Sequence, residues 1–152
     1  MLSDQLRKAT VGDAIKVANN LRIEDKLEIE GLGHSVLGLP YSVVISDEAV
    51  TLSTKTGVIC GVAGIVKDGD VGIVWMLCTP DLVAEPITFV RGAKRWLSEQ
   101  EHKYSYLWNL TSLENKFHHK LLKMLGFKAL QVVQPPPFYK PYLEIVKLCV
   151  SR

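Results

Sequence analysis

The chain has 152 residues, 47% of them hydrophobic, and this size suits one ordinary domain with a sizeable buried core. Its formal net charge of +2 is too small to indicate nucleic acid as a partner, because such binding needs a concentrated cationic surface. No apolar run approaches the roughly 20 residues that span a bilayer, and residues 1–10 are charged where a signal peptide would be apolar. We therefore expect one cytoplasmic domain over residues 1–152, without a membrane segment.

The first third of the chain predicts a strand followed by helices. Thr10 suits a helix cap, and apolar residues at helical spacing follow it as far as Leu21. Charges of both signs at 22–30 favour a second, exposed helix that ends at Gly31. After a glycine-rich loop, residues 41–49 predict one short helical segment.

The next part carries the pattern of an antiparallel meander. Residues 50–55, 58–66 and 71–78 are rich in β-branched side chains and are separated by turn residues. The pair Asp68-Gly69 lies between the last two runs and is the strongest hairpin signal of the chain. Three consecutive antiparallel strands are therefore expected.

The second half predicts helices alternating with strands. Pro86 suits the first turn of a long amphipathic helix that runs to about His102. The elements expected after it are a strand at 106–110, a helix at 115–125 ended by Gly126, and strands at 127–134 and 142–150 joined by three prolines.

The order of these elements resembles the GNAT (GCN5-related N-acetyltransferase) fold along nearly the whole chain. The most specific local likeness is the segment from Asn115 to Phe127, where a helix turns into a strand at Leu125-Gly126-Phe127. The resemblance implies an α/β (α+β) fold, with a mixed, mostly antiparallel sheet of about 6–7 strands flanked by about 4 helices. The segment 106–109 and the basic helix after it are similar to a phage group of GNAT-like proteins that includes the small internal virion protein of short-tailed phages.

The loop after the fourth strand departs from the GNAT pattern. GNAT enzymes carry Gln/Arg-x-x-Gly-x-Gly/Ala there, and its backbone N–H groups bind the diphosphate of acetyl-CoA. Residues 79–86 contain no glycine, Pro80 and Pro86 lack an N–H donor, and Asp81 and Glu85 add negative charge. We therefore expect no cofactor, with acetyl-CoA as the cofactor only if the chain is an enzyme after all.

Few side chains remain as candidates for acetyl transfer. Leu122 stands where many GNAT members carry the tyrosine that protonates the departing thiolate, and leucine cannot donate a proton. The candidate catalytic residues are Glu24 and Glu28, which share a helix face, and Cys78, although a solvated helix surface also explains the two carboxylates. The candidate cofactor-binding residues, if coenzyme A binds, are Asn109, Asn115 and Thr79.

The cysteines and histidines do not predict a metal site. Cys60, Cys78 and Cys149 are widely spaced in apolar runs, which favours buried free thiols. A zinc site that joins them to His118 or His119 is conceivable in three dimensions, but no CxxC or HxxxH spacing supports it. Adjacent residues of a helix point about 100° apart, so we expect one histidine to face the sheet and the other to face solvent.

Three functions stay open at this level. The leading hypothesis is a phage-type GNAT-like protein without acetyltransferase activity, which contacts another protein in the virion or in the host cytoplasm. The alternative is a divergent acetyl-CoA-dependent N-acetyltransferase that acts on a small amine or a protein amine. A third hypothesis is a small-ligand binding module that uses the groove between the fourth and fifth strands.

Overall fold

Seven strands form one sheet in the computed structural model, which describes residues 5–84 and 86–149 apart from the side chain of Thr88. The strands are β1 Leu6–Lys8, β2 Glu48–Ser53, β3 Ile59–Asp68, β4 Val71–Cys78, β5 Tyr106–Ser112, β6 Lys128–Val133 and β7 Tyr142–Leu148. Their order in the sheet is β1-β2-β3-β4-β5-β7-β6. Neighbouring strands are antiparallel except β4 and β5, which are parallel.

The described residues also form five α-helices and three short 3-10 turns. The helices are α1 Val11–Asn19, α2 Ile23–Gly31, α3 Leu39–Ile45, α4 Pro86–Gln100 and α5 Lys116–Met124. The 3-10 turns are Val36–Gly38, Pro80–Ala84 and Glu101–Lys103. The expected α/β fold with a mostly antiparallel sheet is confirmed, and the five helices compare with the about four that the resemblance implied. Within the described residues, no helix combines the length and apolarity needed to cross a bilayer.

The two faces of the sheet bury separate apolar clusters. On one face, α4 and α5 pack against β3 through side chains such as Trp96, Leu121 and Ile65. On the other face, Val17 of α1 packs against Val62 of β3. Because side chains alternate across a strand, positions 62 and 65 belong to opposite faces and β3 contributes to both clusters.

The turn and cap residues behave as the sequence predicts. Thr10 caps α1, with its side chain accepting from the Asp13 N–H and its own N–H donating to the Asp13 carboxylate. Gly69 at the β3–β4 turn and Gly126 after α5 have φ values of 60° and 95°, which favour glycine. These positions fix the ends of their elements locally.

Several element boundaries differ from the predictions by a few residues; β2, for example, is Glu48–Ser53 where 50–55 was expected. The helix expected at 41–49 is α3 at Leu39–Ile45, because Pro40 suits its first turn and Glu48 already pairs with Ile65 in the sheet. The helix expected to run to about His102 ends at Gln100, where a 3-10 turn takes over. The last strand ends at Leu148, while residues 1–4, 85 and 150–152 lie outside the described residues.

Candidate functional site

The parallel strands β4 and β5 pair along only part of their length. Their register joins Val71–Ile73 to Tyr106–Trp108, and both strands continue beyond these pairs. The sheet therefore opens into a fork between the later parts of the two strands. A cavity of about 610 Å³ lies at this fork, with walls from both faces of the sheet.

The cavity has a mainly apolar lining with a few polar groups. One wall includes Leu32 and Leu39 from the side of α2 and α3, and the opposite wall includes Phe89 and Leu121 from α4 and α5. The polar side chains on its walls are Glu28, His34, Ser35, Tyr41, Ser42, Asn109, Thr111 and His118. A concave apolar site with a few polar groups is the usual form of a small-molecule pocket.

Asn109 on β5 bridges the fork. Its side-chain amide donates a short hydrogen bond to the Val74 carbonyl of β4, and its Oδ1 accepts from the Leu110 N–H at 2.6 Å. The side chain therefore replaces the missing backbone pairing at the place where the strands separate. Asn109 was a candidate for binding coenzyme A; it lies at the fork, and its amide is already bonded to protein.

Beyond this bridge, the backbone N–H and C=O groups of every second residue of β4 point toward the fork. The Val74 carbonyl and both backbone groups of Cys78 bond away from β3, to Asn109, Asp25 and Arg22. Because backbone groups alternate in direction along a strand of an antiparallel pair, the N–H and C=O of Met76 face the fork as well. This edge offers one donor and one acceptor to a bound group.

Helix α2 turns Asp25 and Glu28 inward, and its N-cap residue Arg22 is buried beside them, contrary to the expected exposed helix. Asp25 is fully buried, and Glu28 and Arg22 are almost as buried, while the apolar Ile23 and Leu27 are 59% and 50% exposed. The charged face is the buried one because each buried charge of α2 has hydrogen-bond partners on β4, on β5 or at the start of α5. Buried charges are tolerated only when they are paired and hydrogen-bonded in this way.

Asp25 is the centre of a buried polar cluster. Its Oδ1 accepts from Arg22 Nη1 at 2.9 Å and from Asn115 Nδ2 at 3.0 Å, and its Oδ2 accepts from the Cys78 N–H at 2.9 Å. The guanidinium carbon of Arg22 also lies 4.7 Å from the centre of the Phe117 ring. Asn115, expected to bind a cofactor, is 1% exposed and serves this cluster instead.

Glu28 occupies the next inward position of α2 and connects this cluster to the cavity. Its Oε1 accepts from Thr111 Oγ1 at 2.7 Å and from the Ser112 N–H at 2.5 Å. Its Oε2 lies 3.3 Å from His118 Nδ1. Of the two glutamates expected as candidates, Glu28 therefore reaches the site, whereas Glu24 is 41% exposed and forms only a 3.6 Å ion pair with Arg22.

His118 lies between the two buried carboxylates. It is buried in the first part of α5, as expected for one of the two histidines. His119, expected to face solvent, is instead half-buried, and its Nε2 lies 2.8 Å from the Ser112 carbonyl. Burial would lower the pKa of His118, but Asp25, Cys78 and Glu28 together raise it well above its ordinary value. The ring therefore carries positive charge between the carboxylates in the absence of another cation.

The cluster shifts the pKa values of Asp25 and Cys78 in opposite directions. Burial would raise the pKa of Asp25, but His118 and the donors from Cys78 and Asn115 lower it below its ordinary value. Burial raises the pKa of the Cys78 thiol, and the charge of Asp25 adds to this effect. Cys78 is thus a buried neutral thiol here, and Cys60 is buried as well.

The segment after β4 forms a compact 3-10 turn at Pro80–Ala84. Thr79 is 3% exposed, and its N–H donates to the Cys60 carbonyl at 2.9 Å. The Leu82 N–H donates to the Thr79 carbonyl at 3.2 Å, and the Leu82 side chain is buried in the core. The N–H groups of Thr79 and Leu82 are therefore already bonded to protein, Pro80 has no N–H, and Thr79 offers almost no surface to a ligand.

The sequence signals for this site were incomplete. Arg22, Asp25 and His118 were not expected in it, because their partners are distant in the chain: Asp25 lies 53 residues from Cys78 and 90 from Asn115. The spacing of Arg22, Asp25 and Glu28 at every third position was the one available hint, since it places them on one helix face.

Comparison with known proteins relates the chain to acetyltransferases of solved structure. No protein-family model and no curated protein matches the sequence. The structure is similar to a GNAT-family acetyltransferase from Bacillus anthracis, with a TM-score of 0.70 and 12% identity over 96% of each chain. Spermidine N-acetyltransferase SpeG from Vibrio cholerae, solved as a mutant, gives a TM-score of 0.65 and 13% identity over 94% of each chain.

A third similar structure is AAC(6')-Ib in complex with ribostamycin and coenzyme A. It gives a TM-score of 0.63 and 15% identity over 95% of this chain and 92% of its own. Identities this low relate folds and not activities. The chain therefore has the GNAT fold.

Proposed function

We propose that the chain is an N-acyltransferase that accepts a small amine with an apolar body. One observation carries the proposal: the carboxylate of Glu28 lies on the wall of a largely apolar cavity at the fork. Glu28 is the single carboxylate among the described residues that line this cavity. Because opposite charges attract more strongly where the dielectric constant is low, the carboxylate draws the ammonium group of an amine into the cavity.

Aromatic side chains on the cavity wall suit the rest of such an amine. Trp75 and Tyr41 both line the cavity, and the Trp75 indole is held by a 2.8 Å hydrogen bond to Ser46 Oγ. Aromatic faces attract cations and pack against apolar carbon. The proposal also agrees with the amines named for two structural neighbours, spermidine and ribostamycin.

The proposed reaction forms a C–N bond at the amine and breaks the C–S bond of an acyl thioester. The ammonium nitrogen loses two protons in all: one goes to solvent before the attack, and one leaves as the amide forms. Glu28 is the group in position to accept this proton, and its hydrogen bonds to Thr111 and Ser112 hold the carboxylate in place. Leu122, which also lines the cavity, has no proton to give. The departing sulfur therefore takes its proton from solvent.

Coenzyme A, which this fold implies as the acyl carrier, fits the fork in part. The Met76 N–H and C=O can pair with an amide-bearing arm. The turn at Pro80–Ala84 does not fit a diphosphate, because it has no glycine, Pro80 lacks an N–H and the Leu82 N–H is already bonded. The proposed acyl donor is a thioester that the chain binds through the amide-bearing arm and not through the diphosphate.

A second candidate function is a non-catalytic GNAT-like protein that acts by contact with another protein. The Asn109 bridge favours it, since this side chain occupies the Val74 carbonyl at the point where an arm would enter the fork. The resemblance to a phage group then implies a virion protein or a host protein as the partner. On this proposal coenzyme A does not bind.

Binding and turnover measurements with the full chain distinguish the two functions. If the chain is an acyltransferase, calorimetric titration with acetyl-CoA should release or absorb heat. Thiol should also be released with at least one member of an amine panel that runs from spermidine to 2-phenylethylamine. The non-catalytic protein predicts neither. A folded chain that is silent in both measurements would overturn the acyltransferase and support the contact protein.

A matched pair of variants tests the role of Glu28. Glu28→Gln keeps the size of the side chain but removes its charge, and we expect thiol release to fall about 100-fold or more. Glu24→Gln makes the same change at a half-exposed carboxylate of the same helix, and we expect its rate to stay within about 2-fold of the original. Equal losses in the two variants would show that Glu28 has no part in the reaction.

A further inference from the structure

Three metal-binding side chains from separate elements meet beside the cavity. They are Asp25 of α2, Cys78 at the end of β4 and His118 of α5, and all three are buried. One potential ligand atom from each lies within 4.8 Å of the other two. Secondary-structure elements that are distant in the chain thus bring a carboxylate, a thiol and an imidazole to one point.

Two separations within this group, each to a different oxygen of Asp25, are close to those between the ligands of a tetrahedral zinc ion. Zinc bonds of about 2.0–2.3 Å at tetrahedral angles place two ligand atoms about 3.3–3.6 Å apart. Cys78 Sγ lies 3.4 Å from Asp25 Oδ2, and His118 Nε2 lies 3.2 Å from Asp25 Oδ1. An ion can therefore enter without a large rearrangement of these side chains.

A second observation concerns the imidazole itself. His118 is 6% exposed, yet its Nε2 has no hydrogen-bond partner among the described residues. His118 Nε2 lies 3.2 Å from Asp25 Oδ1, which is close enough for an ion pair, but the angles between the groups do not suit a hydrogen bond. Buried polar atoms of proteins are almost always satisfied, so an unsatisfied nitrogen beside a thiol and a carboxylate indicates a missing partner.

The surroundings also have the form of a metal site. The other nitrogen of His118, Nδ1, lies 3.3 Å from Glu28 Oε2, and metal-bound histidines generally donate their second N–H to a carboxylate or a carbonyl. Asp25 is oriented by donors from Asn115 and from the Cys78 backbone. These contacts fix two of the three ligands before an ion arrives.

Charge balance is kept when a divalent cation replaces one proton of the His118 imidazolium and the proton of the Cys78 thiol. A bound divalent ion together with the Arg22 guanidinium supplies three positive charges. The carboxylates of Asp25 and Glu28 and a metal-bound Cys78 thiolate supply three negative charges. The buried cluster is then neutral, which limits the cost of burying it.

We propose that Asp25, Cys78 and His118 bind a zinc ion. The mixed sulfur, nitrogen and oxygen donor set suits borderline-soft zinc better than magnesium or calcium, which take oxygen ligands. Three protein ligands leave a fourth position for water, and one of the three, His118, lies on the cavity wall. The zinc site does not depend on acyl transfer and adds to the proposed function.

Metal analysis of the full chain tests the site directly. After expression with zinc and exhaustive dialysis, we expect about one zinc per chain by elemental analysis. Replacement by Co²⁺ should give the near-ultraviolet absorption of a cobalt–thiolate bond. Less than about a tenth of an equivalent of zinc, together with no cobalt–thiolate absorption from a folded chain, would overturn the proposal.

Two cysteine variants assign the ligand. Cys78→Ser should abolish the cobalt–thiolate absorption and weaken zinc binding at least about 10-fold. Cys60→Ser is the matched control, because Cys60 is another buried thiol and lies outside the group, and its spectrum should be unchanged. If Cys78→Ser does not fold, His118→Gln should weaken zinc binding by the same factor. Metal binding unaffected by loss of these ligands would contradict the site, whatever the outcome of the amine assays.

Discussion

The side-chain hydroxyl of Tyr142 on β7 donates a 2.6 Å hydrogen bond to the backbone carbonyl of Glu28 on α2. Tyr142 is 1% exposed, and burial together with the charge of Glu28 raises its pKa to about 12. The phenol therefore stays a proton donor throughout the neutral range. This contact ties the helix that carries Asp25 and Glu28 to the sheet, and so it helps to position the whole buried cluster.

Removal of the Tyr142 hydroxyl should loosen this attachment. Tyr142→Phe takes away a buried donor with little change in shape, and we expect the free energy of unfolding to fall by about 1–3 kcal/mol. Tyr139→Phe, the same change at a side chain that is 63% exposed, should alter it by no more than about 0.5 kcal/mol. Urea denaturation of both variants measures the difference, and equal stabilities would show that the Tyr142 bond is unimportant.

Gly31 at the end of α2 depends on the same tyrosine. A Cβ at this position would collide with the Tyr142 hydroxyl. We therefore expect Gly31→Ala to lower the melting temperature, at a cost of about 1–3 kcal/mol in stability. Gly38→Ala is the control, because no atom lies within 4 Å of its added Cβ and its φ of −78° suits alanine. A Gly31→Ala variant as stable as Gly38→Ala would mean that α2 can move away from the sheet.

Loss of Asp25 should cost more than loss of a surface carboxylate. Asp25→Ala leaves the buried Arg22 and His118 without their common partner, and we expect about 3–5 kcal/mol less stability at neutral pH. Glu24→Ala removes a neighbouring carboxylate that is 41% exposed and should cost less than about 1 kcal/mol. Thermal unfolding followed by circular dichroism provides the comparison. Similar losses in the two variants would contradict a central role for Asp25.

Asp13 should make the chain less stable in acid. Burial would raise its pKa, but hydrogen bonds from Arg7, Thr51 and Thr10 hold it well below the ordinary value of 3.8. A carboxyl whose folded pKa is lowered stabilises the fold above its unfolded pKa, and this contribution is lost as the pH falls toward the folded pKa. We therefore expect unfolding free energy to decline below pH 3.8, partly because of Asp13.

Substitution isolates this contribution. Asp13→Asn should be less stable than the original chain at pH 7, and the gap between the two should narrow as the pH falls below 3.8. Asp68→Asn changes an exposed carboxyl at the end of β3 and serves as the control. Urea titrations at several pH values measure the gap. A gap that stays constant with pH would rule out Asp13 as a source of the acid sensitivity.

Local sequence signals were enough for most of the fold. Alternating side chains and the Asp68-Gly69 turn predicted the three strands from β2 to β4, and Thr10 and Gly126 marked the helix ends that they form. Such signals succeed because strand pleat, turn geometry and helix caps depend on residues close together in the chain. The glycine-free segment after β4 was also visible in the sequence.

The candidate site could be anticipated only in pieces. Glu28, Cys78 and Asn115 were expected as separate candidates, and each takes part in the buried cluster. Asp25 was passed over, because a charged helix has an ordinary surface explanation. A zinc site that joins the cysteines to His118 was considered and set aside, because no CxxC or HxxxH spacing supports it. No spacing rule links residues that contact one another across 53 or 90 positions.

The sequence by itself determined the elements, their order and the turns between them, since these follow from local periodicity and from residues with special backbone preferences. Tertiary structure decided which face of α2 is buried, because Ile23 and Leu27 favour one face by hydrophobicity while Asp25 and Glu28 find hydrogen-bond partners on the other. The partners on β4, β5 and α5 exist only once the sheet has formed. Their hydrogen bonds and ion pairs make the burial of the charged face possible, and that face creates the candidate site.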